Sequence, residues 1–119
     1  MTAASKPFES ADETRPIGQG TLEVLQFDTA SVAKFTMQPG WRWSTDMKPI
    51  AGTDHCQKDH LGYGISGMLH VVTDDGSEID VGPGDAYVAH PGHDAWVVGD
   101  EPFVALEFQT KTAEEYAKT

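Results

Sequence analysis

Apolar and polar residues alternate along most of this chain in short runs, and nearly every run stops at glycine or proline. Thr21–Phe27 places Leu22, Val24 and Gln26 on one face and Leu25 and Phe27 on the other. Ser31–Met37 sets Val32 and Lys34 opposite Ala33, Phe35 and Met37, until Gln38-Pro39-Gly40 ends the run. A period of two is the signature of a strand. Six further strand-like runs follow: Leu61–Ile65, Met68–Thr73, Glu78–Val81, Ala86–Ala89, Ala95–Val98 and Phe103–Gln109. Their joins are Ser66-Gly67, Asp74-Asp75-Gly76, Gly82-Pro83-Gly84-Asp85 and Gly99-Asp100-Glu101-Pro102, and an Asp-Gly step between such runs is a strong hairpin signal. Trp41–Ser44 reads as a short extended piece with both tryptophans on one side, and Thr45–Gly52 as a loop. Only Thr112–Lys118 has helical character. The pattern predicts an all-β antiparallel sandwich or barrel with a short C-terminal helical tail.

Composition narrows the setting. Residues 1–15 are polar and aperiodic, either a disordered arm or a strand that pairs only with a neighbour or a partner subunit. Residues 16–119 make a single domain, long enough for a real core. Acids outnumber bases 19 to 8, for a net charge of −11, which argues against nucleic acid or an anionic membrane as partner. One cysteine makes no intrachain disulfide, and neither a signal-peptide run nor a membrane span is legible, so the expected address is the cytoplasm.

Candidate chemistry is concentrated in one stretch. All five histidines (His55, His60, His70, His90, His93) and Cys56 lie between Gly52 and Trp96. Histidine is the commonest metal ligand and the usual acid or base near neutrality.

Within that stretch, Gly82-Pro83-Gly84-Asp85-Ala86-Tyr87-Val88-Ala89-His90-Pro91-Gly92 resembles the second motif of the cupin superfamily, and His55–Gly67 resembles the first. The resemblance spans about residues 38 to 98 and implies a jelly-roll barrel with a divalent metal at its mouth. Strands present every second side chain inward, so ligands from neighbouring strands complete a half-cage with open positions. At the family's spacing, His60 stands where most cupins carry a glutamate. The paired-ligand positions before it are then Thr53 and His55 in one register, or Asp54 and Cys56 in the other. In the second motif the ligand position falls on Ala95, and His93 lies two residues earlier on the same strand face. The metal site implied is His55, His60 and His93, with Cys56 nearby, or else a decayed site. Such ligands suit Fe(II), Ni(II), Zn(II) or Cu(II). A small single-domain cupin is also expected to form a homodimer, with the arm before Pro16 a candidate cover for an open sheet edge.

The remaining candidates rank lower. His70 lies among Met68, Leu69, Val71 and Val72 on a face expected to point away from the mouth, and His90 is held extended before Pro91. Trp41, Trp43, Tyr63, Tyr87 and Trp96 are candidates for an apolar pocket or for plain core, and Arg42 for facing a substrate carboxylate or an exposed ion pair. Glu101, Glu107, Glu114 and Glu115 carry no mark of a catalytic pair. Two functions stay open: a metalloenzyme acting on a small organic molecule, dioxygenase-like or otherwise an oxidoreductase or lyase, and a non-catalytic ligand-binding or sensing cupin.

Overall fold

Trp41, Trp43, Phe103 and the inward residues of eight runs cannot all be buried by one flat sheet, and the chain closes two sheets over them. The structure is a computed structural model that describes residues 3–56 and 59–110. The strands are β1 (Glu13–Pro16), β2 (Gly20–Gln26), β3 (Ala30–Met37), β4 (His60–Ser66), β5 (Met68–Thr73), β6 (Glu78–Val81), β7 (Ala86–Ala89), β8 (His93–Val98) and β9 (Phe103–Thr110). They form a six-stranded sheet in the order β1-β2-β3-β9-β4-β7 and a three-stranded sheet in the order β6-β5-β8. All the pairings between strands are antiparallel. Long-range pairs such as β3 with β9 wrap the chain ends into one sheet, as a jelly roll requires.

The core follows the alternation. Leu69, Val71, Ala95 and Val97 of the small sheet meet Met37, Tyr87, Ala89, Phe103 and Ala105 of the large one. In β8, His93, Ala95 and Val97 are buried while Val98 is exposed, as the period of two requires. Gly67 turns β4 into β5 with φ 74°, and a Cβ there would stand 2.2 Å from the Pro102 carbonyl oxygen. Only glycine fits such a place.

One expectation changes. Residues 43–51 are helical turns rather than an extended piece and a loop: a π-turn at Trp43–Met47 leads into α1 (Lys48–Ala51). The Asp46 carboxylate accepts from the backbone N–H groups of Arg42 (2.8 Å) and Gln19 (3.0 Å), and the Trp41 indole N–H donates to the Ile17 carbonyl (2.6 Å). These tertiary bonds outweigh the local composition, and Pro49 is tolerated because it falls in the first turn. The polar arm contains β1, which lies along β2 of the same chain with Arg15 opposite Leu22. The C-terminal helical tail expected at Thr112–Lys118 lies outside the described residues. No helix among the described residues is long and apolar enough to cross a membrane.

Candidate metal centre

Cys56 and His93 face each other across an isolated antiparallel bridge between the segment before β4 and the start of β8. The Cys56 N–H donates to the His93 carbonyl (2.8 Å), and the Gly92 N–H donates to the Cys56 carbonyl (2.6 Å). Residues directly opposite in such a pair project to the same side, so both side chains enter the barrel. His60 opens β4 on its inward face, ahead of Gly62 and Gly64. Its Nε2 lies 3.4 Å from Cys56 Sγ, and its ring meets the His93 ring edge-on with centroids 5.0 Å apart.

The donor atoms of Cys56, His60 and His93 all lie within 4.8 Å of one another. A tetrahedral zinc-type ion, with bonds of about 2.3 Å to sulfur and about 2.0 Å to nitrogen, needs S···N separations of roughly 3.5 Å. The 3.4 Å between Cys56 Sγ and His60 Nε2 meets that requirement. Each imidazole is also anchored at its far nitrogen. His60 Nδ1–H donates to Glu107 Oε1 (2.6 Å), and His93 Nδ1–H donates to the His90 carbonyl (2.6 Å). Carboxylate and carbonyl oxygens only accept, so both rings offer Nε2. The residues therefore fit a divalent transition metal.

Without an ion, the cluster is strongly polarised. Burial pulls the His60 pKa down, but Cys56 and then Glu107 outweigh it and hold the imidazole at about 10. His93 is likewise raised against its burial, by Cys56 and the His90 carbonyl, with the His60 charge opposing. Burial, and then the Glu107 charge, push the Tyr87 hydroxyl upward. It stays protonated and donates to Glu107 Oε2 (2.5 Å).

The cluster lines a cavity of about 440 Å³. Its walls are mainly apolar, including Leu22, Phe35, Met37, Trp41, Trp43, Met47, Leu69 and Val71, with Arg15, Thr53 and Glu107 among the few polar members.

Of the expected ligands, the structure brings His60 and His93 together and leaves His55 outside. The His55 Nδ1 contacts Asp74 Oδ1 on the surface, because alternation around Cys56 points its neighbour outward. His70 also faces away, bonded to Asp80 (2.6 Å) and Glu78 (2.9 Å) and packed on Trp96. His90 pairs with Asp59 at the surface (2.9 Å). Trp41, Trp43 and Tyr87 line the cavity, whereas Trp96 stands outside it with the Arg42 guanidinium 4.2 Å over its ring, and Tyr63 is exposed. Glu107, which carries no mark of a catalytic pair in the sequence, stands at the cavity wall. Its signal was parity, since Phe103, Ala105 and Glu107 share one face of β9 and a carboxylate among such residues needs a partner.

Comparison with known proteins gives no match to a family model and no match to a curated sequence. Solved structures do match. An RmlC-like cupin from Shewanella frigidimarina superposes with a TM-score of 0.62 at 16% identity, over 97% of this chain and 96% of its own. A sugar phosphate isomerase of the cupin superfamily from Silicibacter pomeroyi gives 0.61 at 22%, over 91% and 76%. An oxalate decarboxylase from Lactobacillus farciminis, crystallised with formate, gives 0.61 at 14%, over 92% of this chain but 34% of its own. The fold is the cupin fold, as the two sequence motifs imply. At these identities the likeness extends to architecture alone.

Proposed function

We propose that this protein is a metal-binding cupin that acts on a small, largely apolar organic molecule held against the Cys56–His60–His93 cluster. The observation that carries the reading is the position of three inward donors at the wall of a predominantly apolar cavity. Apolar walls with a few convergent polar groups are the usual make-up of a small-molecule site. A bound ion would supply Lewis-acid polarisation of an oxygen-bearing ligand there. The chain's own residues do the rest: Trp41, Trp43 and Met47 exclude water, and Glu107 and the His90 carbonyl hold the two imidazoles in place. The enzyme classes that suit such a site are a metal-dependent oxidoreductase or lyase.

The second reading is a ligand-binding module without turnover. It is favoured by the extent of the apolar wall. Elemental analysis of protein purified without chelator tests the first reading. One equivalent of transition metal, removed by chelation and restored on reloading, is expected. Protein that stays metal-free after incubation with Fe(II), Ni(II), Zn(II) and Cu(II) would falsify it and leave the binding module.

A further inference from the structure

We propose that Glu107, braced by Tyr87, is the positioning residue of this centre, holding the His60 ring by Nδ1–H so that Nε2 faces the metal position beside Cys56 Sγ. The inference rests on the metal reading above and adds to it a carboxylate that lies outside the donor cluster.

Three neighbouring strands build the device in a single cross-strand row. Gly62 of β4 pairs with Tyr87 of β7 on one side and with Glu107 of β9 on the other. A Cβ on Gly62 would stand 2.5 Å from Tyr87 Cζ and 2.6 Å from its hydroxyl oxygen, so the Tyr87 ring occupies the space that the glycine leaves. The phenol thereby crosses the middle strand and reaches Glu107 Oε2 at 2.5 Å. His60, two residues before Gly62 on the same face, takes the other oxygen at 2.6 Å. Both carboxylate oxygens are engaged, and the side chain is only 17% exposed. Glu107 cannot turn toward the cluster without giving up both bonds, so it acts through His60 and not as a ligand itself. Charge-assisted bonds at this length and burial are the strong ones, and a carboxylate behind a metal-bound imidazole orients the ring and raises its basicity.

The test uses the full chain as wild type, Glu107→Gln, Glu107→Ala and Tyr87→Phe, with Zn(II) competed against a chromophoric chelator and Co(II) as the spectroscopic probe. Glu107→Gln keeps the shape and an acceptor, and guards against a Glu107→Ala protein that fails to fold. Zn(II) affinity should fall about 10- to 100-fold in Glu107→Gln, further in Glu107→Ala and less in Tyr87→Phe. The thiolate-to-Co(II) charge-transfer band from Cys56 should persist in all of them. In metal-free wild type, the short Nδ1–H···Glu107 bond should give a far-downfield proton resonance that Glu107→Ala loses. Unchanged Zn(II) affinity in Glu107→Gln, or a downfield proton that survives Glu107→Ala, overturns this inference and leaves the metal reading standing. A Co(II) ligand-field spectrum that changes coordination type in Glu107→Gln marks Glu107 as a direct ligand and overturns it too. Wild type that keeps the proton but binds neither ion overturns the metal reading itself.

Discussion

His55 and Cys56 are adjacent in sequence and opposite in consequence. A one-residue slip in a strand-like segment moves every side chain to the other face, so two registers were compatible with the first motif. The long-range bridge from Cys56 to His93 decides between them, and no local pattern announces it. Cys56→Ser, His60→Ala and His93→Ala should each lose most of the bound metal, while His55→Ala, whose ring contacts Asp74, should keep it. Metal content by elemental analysis separates the two outcomes, and loss in His55→Ala would return the site to the other register. His70 offers a separate readout. Bonds to Asp80, then Glu78, raise its pKa above the ordinary 6.5, against a smaller effect of burial. The folded state therefore binds the proton more tightly than the unfolded chain. That stabilisation is complete below the unfolded pKa of 6.5 and fades as pH rises through the higher folded value. Melting temperatures of wild type and His70→Asn should differ most in mild acid and converge toward alkaline pH. The gap should be small, because Asp80 and Glu78 are largely exposed. A gap that widens with pH would contradict the assignment.

At the scale of elements, the strands were legible because each carries its alternation within its own residues. Met68–Thr73, Glu78–Val81 and Ala86–Ala89 have the bounds that the pattern predicts. The turns at residues 43–51 were not legible, since the bonds that form them reach from Asp46 to Gln19 and from Ser44 to Asp94. The inward carboxylate of β9 falls between these cases: its parity was readable, its partners on β4 and β7 were not. Gly62 is where the strand lattice and the candidate site meet. Gly62→Ala places a methyl group within 2.7 Å of the Leu106 carbonyl oxygen as well as against the Tyr87 ring. Overpacking of this kind costs about 1–3 kcal/mol, read as a lower Tm. It should also weaken Zn(II) binding, because the displaced phenol no longer braces Glu107. A Gly62→Ala protein with both stability and Zn(II) affinity unchanged would show that the row is looser than the register implies.

At the scale of the whole molecule, the β7-β4-β9 half of the large sheet's outer face is unlike the rest of an acidic chain, whereas β3 and β2 continue that face with Lys34 and Glu23. The outward positions of β7, β4 and β9 are Ala86 and Val88, Leu61, Tyr63 and Ile65, and Val104, Leu106 and Phe108. None of them is charged, although the net charge is −11. Leu61 is 52% exposed, Val88 50%, Tyr63 and Ile65 45% each and Phe108 40%, so the face is open to solvent within one chain. Contiguous apolar surface of this kind marks an interaction site, and a second copy of the same face meets no charge repulsion across it. A homodimer was expected from an open sheet edge covered by the polar arm. The arm's β1 lies along β2 of the same chain, and we propose β7, β4 and β9 as a second candidate surface for that homodimer, packed face to face. An isologous contact brings Leu61 and Val88 near their symmetry mates, so a single charge is presented twice. Leu61→Glu or Val88→Glu should therefore dissociate the dimer in sedimentation velocity at micromolar concentration while the far-ultraviolet spectrum stays β-rich. Wild type that sediments as a monomer, or a dimer that withstands both glutamate substitutions, would rule out this face as the contact.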